Sequence, residues 1–232
     1  MNLAIFTYSF PHTKTADGVF HLLANGFKPS LFVAAPPVEL TFPQSKRRIS
    51  PKGLHPAPPE QLAKLCDAEL VVAPHASEEC YSALRRHNVD VGIILGARIL
   101  KQEAIDCCSI GIINLHPGYL PDVRGLDTIK WAILKDLPMG ATAHLIDSKI
   151  DMGRLLCRGI IDIYDDDTLL DLQLRTWDLE RSLLIRGLEL LQHFPDPAVY
   201  EPLGRGNYYK AVPPELERNL DSSFARFKWM HR

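Results

Sequence analysis

Short apolar runs recur along the first half of the chain, at residues 2–8, 31–35, 69–73, 91–95 and 111–115. Each run is rich in Val, Ile, Leu or Ala and is bounded by Gly, Pro or Asp. Because both faces of each run are apolar, the pattern predicts buried parallel strands rather than half-exposed antiparallel ones.

Helical stretches separate these runs. Candidate helices cover residues 16–25, 59–66, 77–87 and 102–108, and Gly26 ends the first of them. Strands that alternate with helices predict an α/β fold with a doubly wound, mostly parallel sheet. The polar, Pro-rich connection over 36–59 has no clear periodicity, and a loop of this length in a compact domain is usually a functional lid or an insertion.

The pattern changes after residue 115. Residues 116–125 form a Gly- and Pro-rich loop, 126–135 a helix, and 141–146 and 155–163 a strand pair around a turn at 147–153. A long helix follows over 168–193. We therefore expect one domain over 1–194 and a short C-terminal extension over 195–232. The extension either packs on the domain or forms part of a site for a substrate.

The long helix carries a broad apolar stripe, interrupted only at Arg181. Its centre line is Leu170, Leu174, Trp177, Leu184, Leu188 and Leu191, widened by Leu169, Leu172, Leu179, Leu183 and Leu190. A stripe this broad predicts packing against the core, with a dimer interface as the alternative.

Composition narrows the class of protein. Of the 232 residues, 46% are hydrophobic and 23% are charged, as in ordinary globular domains. The 26 basic and 28 acidic residues leave a net charge of −2, which argues against nucleic-acid binding through clustered Lys and Arg. The single basic run, Lys46-Arg47-Arg48, is typical of a solvated loop. With no apolar stretch of about 18 residues, no membrane span is predicted.

The five cysteines indicate a reducing compartment. Cys66, Cys80, Cys107, Cys108 and Cys157 are odd in number and show no CxxC spacing, so we expect buried, reduced thiols. The start MNLAIFTYSF lacks the basic segment and apolar core of a signal peptide. A cytoplasmic location is expected.

Candidate chemistry lies where the run 111–115 ends. Asn114 and His116 are two residues apart and therefore on one face of the strand, at its carboxyl end. Ligands bind at that edge in open α/β sheets, and Pro117 stops the strand there. Either residue alone is more typical of a structural hydrogen bonder, whereas the pair followed by this loop indicates a site.

Three ordered motifs resemble those of the 10-formyltetrahydrofolate-dependent formyltransferases, which act on glycinamide ribonucleotide, methionyl-tRNA and sugar nucleotides. The first is Asn-x-His-Pro followed by Leu-Pro-x-x-Arg-Gly, at residues 114–125. Upstream, residues 96–100 (GARIL) are similar to the segment that lines the folate pocket. Downstream, residues 140–144 (GATAH) and 147–153 (DSKIDMG) resemble the strand and loop that end in the catalytic aspartate. The clear resemblance covers residues 92–156 and implies a formyltransferase-like Rossmann variant.

The resemblance implies a catalytic triad of Asn114, His116 and Asp151. Formyl transfer to an amine builds negative charge on the formyl oxygen, and donors aimed at that oxygen are usually the largest catalytic contribution. Asn114 and His116 would supply those donors. Asp151 would pair with His116 and relay the proton that leaves the amine. Without the resemblance, an Asp-x-Gly turn is more typical of a loop former.

Further residues follow from the same resemblance. Arg98, Ile99, Leu100 and Asp147 are expected to bind the 10-formyltetrahydrofolate co-substrate, and Arg124 is expected on the acceptor side. His144 is either a supporting residue of the site or a core histidine. A metal hydrolase built on His116, His144 and Asp151 is the weaker interpretation, because no zinc-type local spacing is present and no metal is expected.

The identity of the molecule that receives the formyl group depends on features outside these motifs. The first strand runs into Thr7-Tyr8-Ser9-Phe10-Pro11-His12 without the glycine-rich phosphate loop of glycinamide ribonucleotide enzymes. The small net charge, and the roughly 40 residues after the long helix, disfavour tRNA. Related formyltetrahydrofolate hydrolases usually carry an N-terminal regulatory domain. Such a domain is not expected here, since Asn2 already begins the sheet.

These considerations favour a nucleotide-linked amino sugar of surface polysaccharide biosynthesis as the acceptor. The loop version His-Pro-Gly-x-x-Pro-x-x-Arg-Gly-Leu-Asp, with Lys130-Trp131-Ala132-Ile133 after it, is most similar to that group. Tyr208 and Tyr209 could stack on a base while Lys210 meets a diphosphate, or these residues could pack on the domain. Another small amine, a methionyl-tRNA-like acceptor and a non-catalytic folate-binding relative are the alternatives.

Overall fold

A computed structural model describes residues 1–39, 47, 50–149 and 151–231. Lys46 and Arg48 of the basic run, much of the predicted Pro-rich connection and Ile150 of the third motif lie outside these residues.

A seven-stranded sheet forms the centre of the protein, in the order β3-β2-β1-β4-β5-β7-β8. Its strands are β1 (Leu3–Tyr8), β2 (Leu31–Ala35), β3 (Glu69–Val72), β4 (Val91–Ile94), β5 (Gly111–His116), β7 (Gly140–Leu145) and β8 (Arg154–Ile160). The first five are mutually parallel, while β7 runs antiparallel to both β5 and β8. The predicted doubly wound, mostly parallel sheet is confirmed. Chain order reverses direction between β1 and β4, so ligands are expected at the carboxyl edge there.

Helices cover both faces of the sheet. They are α1 (Thr13–Ala24), α2 (Pro59–Leu65), α3 (Glu78–Arg86), α4 (Gln102–Asp106), α5 (Thr128–Lys135) and α6 (Leu169–His193). One core contains buried side chains of α1, α2 and α6, and the other those of α3 and α4.

One predicted strand, β3, and one predicted helix, α1, need correction. β3 is half-exposed, with Val72 57% exposed, because it is the edge strand and no strand of the described residues pairs with its far side. Helix α1 begins three residues earlier than predicted. Its polar residue Thr15 is buried because its hydroxyl lies 2.8 Å from that of Thr7 and 3.0 Å from His12 Nδ1, which satisfies its hydrogen bonds.

The buried face of α6 follows the predicted stripe in the second half of the helix and departs from it in the first half. Leu184 and Leu188 are fully buried as predicted, whereas Leu174 is 41% exposed. The buried face also contains Glu180, whose carboxylate accepts a 2.8 Å bond from Lys14 Nζ. Because this ion pair lets a charged residue lie inside, apolar spacing alone did not predict the buried face of the first half.

The C-terminal extension returns to the domain. It contains a 3-10 turn (Pro197–Val199), β9 (Tyr208–Tyr209), α7 (Pro214–Glu217) and α8 (Leu220–His231). α8 packs on α5, and its Phe227 is fully buried. β9 pairs in parallel with β6 (Arg124–Gly125). This pairing occupies the residues just before α5, which therefore begins at Thr128 and not at 126.

All five cysteines lie within the described residues and are free thiols. Burial raises the pKa of Cys80 and of Cys108 to about 12, and that of Cys157 to about 11. These three thiols therefore stay protonated and unreactive near neutral pH. No helix in the described part of the chain is long and apolar enough to cross a membrane.

Candidate active site

Two antiparallel strands bring the candidate polar residues together. In the register of β5 with β7, Asn114 lies opposite His144 and His116 lies opposite Thr142. Alternate residues of a strand share a face, so these four side chains form one polar patch in an otherwise apolar part of the sheet. The sequence of β7 already indicates this polar face. GATAHL carries two polar side chains, two residues apart, on an otherwise apolar buried strand.

His144 orients Asn114. Its Nδ1 donates to the Met152 carbonyl at 3.0 Å, which leaves Nε2 to accept from Asn114 Nδ2 at 3.2 Å. Burial, followed by the charge of His116, lowers the pKa of His144 to about 4, so the ring is neutral at pH 7. One N–H of the Asn114 amide is held by this bond, and the other has no partner among the described residues and can meet a ligand.

His116 contacts Asp151, as the sequence predicted. His116 Nδ1 lies 3.3 Å from Asp151 Oδ1, and Nε2 lies 2.8 Å from the Val123 carbonyl oxygen. Both ring nitrogens thus face acceptors, and both can donate only in the protonated imidazolium. The Asp151 carboxylate lies where it can accept from Nδ1.

Two contacts fix the Asp151 carboxylate, and the backbone of this residue has an unusual conformation. Its Oδ1 faces His116, its Oδ2 accepts a 2.8 Å bond from the Gly125 N–H, and its backbone has φ +48°. That left-handed conformation is unfavourable for a residue other than glycine, and such conformations cluster at functional sites. Burial would raise the pKa of the Asp151 carboxyl, but the hydrogen bond and charge of His116 and the Gly125 N–H together hold it below its usual value.

Thr142 attaches the loop after β5 to the neighbouring strand. Its hydroxyl accepts from the Leu120 N–H at 3.0 Å and donates to the Gly118 carbonyl at 2.8 Å. Thr128 at the start of α5 donates to the Pro117 carbonyl. The loop that carries the Val123 carbonyl and the Gly125 N–H is therefore fixed from two sides. Sequence reasoning did not identify Thr142, Val123 or Gly125 as parts of the site.

A cavity of about 200 Å³ adjoins these residues. Its lining includes every residue that the sequence predicted for folate, together with two of the predicted triad: Arg98, Ile99, Leu100, Asp147, Asn114 and Asp151. Ile94 and Ile146 add apolar walls, so a flat heteroaromatic ring fits the chemistry of the pocket. His116 is not part of the lining and contacts the cavity only through Asp151.

A second cavity, of about 470 Å³, lies at the carboxyl ends of the first three strands. Arg98 and Ile99 border both cavities. Tyr8 and Phe10 stack at 5.0 Å between ring centroids, and Pro36 and Pro37 form another side. This cavity was not predicted, although the run TYSFPH at the end of β1 was its signal.

The predicted acceptor residues of the tail lie elsewhere. Tyr209 stacks on Trp131 at 4.8 Å, and Trp131 Nε1 donates to the Lys210 carbonyl at 2.7 Å. Tyr208 is half-exposed, and none of Arg124, Tyr208, Tyr209 and Lys210 lines either cavity described above. The structure places these four residues together, on β6 and β9 and directly after β9.

Among the described residues, no group of three His, Cys, Asp or Glu side chains is arranged to hold a metal ion.

His144 makes stability depend on pH. Its pKa of about 4 in the folded protein is below the ordinary 6.5, so the unfolded chain binds this proton first as the pH falls. The stabilisation is complete above pH 6.5 and is lost as the pH falls towards 4, with a limit of about 3 kcal/mol.

We expect the urea-derived free energy of unfolding to fall over this range, and to fall less in His144→Gln. His193→Gln, at an exposed position, is the matched control and should keep the slope of the unsubstituted protein. An equal slope in His144→Gln would contradict the prediction.

Comparisons with known proteins identify the family of the chain. A family model described as formyl transferase matches residues 38–188. A methionyl-tRNA formyltransferase of Clostridium botulinum is 34% identical over 158 residues, which cover 66% of this chain and 47% of that protein. One from Fusobacterium nucleatum is 32% identical over 111 residues, covering 47% and 36%. The chain therefore spans between about a third and a half of the length of these curated relatives.

Solved structures share the fold at low sequence identity. A sugar N-formyltransferase from Shewanella is 21% identical with a TM-score of 0.60, covering 91% of this chain and 77% of that one. An N-formyltransferase from Helicobacter canadensis, solved with folinic acid and dTDP-3-aminofucose, is 19% identical with a TM-score of 0.62, covering 97% and 80%. A glycinamide ribonucleotide transformylase from Symbiobacterium toebii is 16% identical with a TM-score of 0.63, covering 84% and 89%.

Proposed function

Because the chain belongs to the formyl transferase family, whose model matches residues 38–188, we propose that it moves a formyl group from 10-formyltetrahydrofolate to the primary amine of a nucleotide-linked amino sugar. The observation that carries this proposal is the juxtaposition of two cavities. The smaller is lined by Asn114 and Asp151, and the larger is aromatic and shares Arg98 with it.

The proposed step balances without a further reactant. The amine nitrogen attacks the formyl carbon and forms the new C–N bond. The bond between that carbon and the folate nitrogen breaks, and one proton of the amine ends on the folate nitrogen.

The residues of the site have distinct roles in this step. The free N–H of Asn114 donates to the formyl oxygen as negative charge develops there, and His144 holds the amide in that orientation. Asp151 takes the proton from the amine and passes it on. His116 fixes Asp151 and keeps its carboxylate ionised. Arg98, Ile99 and Leu100 enclose the folate ring.

The larger cavity suits the non-reacting part of the acceptor. About 470 Å³ is in the range of small-molecule sites. Phe10 is 38% exposed and offers a ring face to a base, while Arg98 supplies a cation for a diphosphate. We therefore assign the acceptor to this cavity in place of Tyr208, Tyr209 and Lys210.

The net charge of −2 supports a small acceptor over tRNA. A tRNA needs many phosphate contacts, each of which steepens the salt dependence of binding by nearly one unit in log K against log salt. The sequence similarity to methionyl-tRNA formyltransferases makes that acceptor the main alternative, and the same assay separates the two.

The deciding assay offers the protein 10-formyltetrahydrofolate with one acceptor at a time. The panel contains uridine and thymidine diphosphate amino sugars, methionyl-tRNA and glycinamide ribonucleotide. We expect turnover with an amino sugar nucleotide and shallow salt dependence. Preferred turnover of methionyl-tRNA with steep salt dependence would refute the acceptor assignment, and turnover of no amine would refute formyl transfer.

Replacement of Phe10 tests the cavity. Phe10→Ala should raise the acceptor KM about tenfold, because a stacked aromatic contact is worth roughly 1 kcal/mol or somewhat more. The KM for 10-formyltetrahydrofolate should stay the same. Phe20→Ala, at an exposed position on α1 away from this cavity, is the matched control and should leave both constants unchanged. An unchanged acceptor KM in Phe10→Ala would exclude the cavity as the acceptor site.

A further inference from the structure

We infer that the C-terminal strand β9 is a positioning element of the catalytic site, which holds the loop 123–127 so that the Gly125 N–H stays on the Asp151 carboxylate. The inference rests on the proposed formyl transfer only for its kinetic consequence. It gives the tail a role that differs from acceptor binding.

The hydrogen bonds alternate along the loop. The N–H of Arg124 donates to the Asn207 carbonyl at 3.1 Å, and that of Leu126 donates to the Tyr209 carbonyl at 2.9 Å. Between them, the Gly125 N–H donates to Asp151 Oδ2 at 2.8 Å. Successive N–H groups of an extended chain point to opposite sides. Pairing of the two outer N–H groups with the tail therefore directs the middle one at Asp151.

The two segments approach so closely that glycine is required on each. Gly125 has φ +95°, and a Cβ there would lie 2.1 Å from the Tyr209 carbonyl oxygen. A Cβ on Gly206 would lie 1.5 Å from the Pro121 carbonyl oxygen. Neither contact is physically possible, so any side chain at either position must separate the tail from the loop.

The tail is anchored by contacts that a ligand-binding segment does not need. The Tyr209 ring is stacked on Trp131, and the Val212 N–H donates to Asp127 Oδ2 at 2.9 Å. Lys130, whose side chain is 3% exposed, lies 3.4 Å from Asp127 and 3.0 Å from Glu217 of α7. A buried cation between two carboxylates joins α5 to the tail, and losing one partner would leave an uncompensated buried charge.

The predicted consequence is a loss of rate with little loss of affinity. Asp151 does its work on the proton of the amine, and neither Gly125 nor the tail lines the two cavities. When the Gly125 N–H moves away, the carboxylate loses one of its fixed contacts and its orientation. Small misplacements of a reacting group reduce kcat strongly while the substrates still bind.

Gly206→Ala and Gly204→Ala form a matched pair, two residues apart. A Cβ on Gly204 meets nothing within 4 Å, so Gly204→Ala is the control. We expect Gly206→Ala to lower kcat at least about tenfold, with KM for both substrates within about twofold of the unsubstituted protein. The Gly125 amide should exchange with deuterium faster in Gly206→Ala than in Gly204→Ala.

If Gly206→Ala does not fold, Tyr209→Ala replaces it as the test variant and should lower kcat in the same way. Tyr209→Phe keeps the ring stack on Trp131 and should therefore keep the rate of the unsubstituted protein.

Two outcomes would overturn the inference. One is faster exchange at Gly125 with unchanged kcat, which would show that the strand does not position the catalytic group. The other is a raised acceptor KM with unchanged kcat, which would make the tail an acceptor contact. A protein that transfers no formyl group in its unsubstituted form would refute the proposed function. The exchange of Gly125 would then still decide whether β9 holds the loop.

Discussion

Asn114→Ala is expected to lower kcat at least about a hundredfold, with little change in either KM. An amide donor aimed at a developing oxyanion contributes about 3–4 kcal/mol to the transition state and much less to the bound ground state. The free N–H of Asn114 is the donor in this position, because His144 already holds the other one. Single-turnover rates at saturating concentrations of both substrates measure the effect without product release.

Asn25→Ala is the matched control for this substitution. Asn25 ends α1 at an exposed position, and its side-chain amide donates to the His21 carbonyl of its own helix at 2.8 Å. Its kcat should equal that of the unsubstituted protein. Retention of full activity in Asn114→Ala would remove the oxyanion role and with it the proposed chemistry. We expect a loss of similar size in His116→Ala, because the Asp151 carboxylate then loses the imidazole that contacts its Oδ1.

Asp151→Asn is expected to lower kcat by about a hundredfold or more, since general acid–base groups typically contribute this much. The substitution keeps the size of the side chain and an oxygen that can accept from Gly125, but it removes the base. The pH dependence of the residual rate should lose the limb that reports the Asp151 carboxyl. The pKa of that carboxyl is held below its usual value, so in the unsubstituted enzyme this limb lies at acid pH.

Asp147→Asn separates a general charge effect from the role of Asp151. Asp147 lines the same cavity on the same loop, but its Oδ1 accepts from the Lys149 N–H at 2.8 Å and not from Gly125. It should keep kcat and change at most the folate KM. Equal losses of kcat in the two variants would show that the cavity needs negative charge in general and would refute a specific proton relay.

The elements of this fold were predictable because they depend on local patterns. Apolar runs of strand length, separated by helical stretches, placed β1, β2, β4 and β5 within one or two residues. Burial of a parallel sheet on both faces makes such runs almost continuous in sequence. The edge strand β3 and the helix α6 departed from prediction because their exposure depends on neighbours that the local pattern does not contain.

Part of the site was also predictable. Asn114 and His116 share one strand, and the rule that polar residues at a carboxyl strand end line a ligand site needs no tertiary contact. The pairing of His116 with Asp151 followed from the family resemblance. His144 was left open between a supporting and a core role, because the register of β5 with β7 is a long-range property of the sheet.

The amino-acid sequence by itself determined the order of the sheet strands and of the helices up to α6, and it placed Asn114 and His116 at the carboxyl end of β5, where the candidate site lies. The tertiary structure alone decided which side chains contact one another across the sheet, that a cavity of about 470 Å³ lies beside Tyr8 and Phe10, and that β9 pairs with the loop 123–127. The physical reason is separation along the chain. The loop and β9 meet through backbone hydrogen bonds from Arg124 to Asn207 and from Leu126 to Tyr209. Backbone groups are available at nearly every residue, so the pairing partner cannot be identified from the sequence.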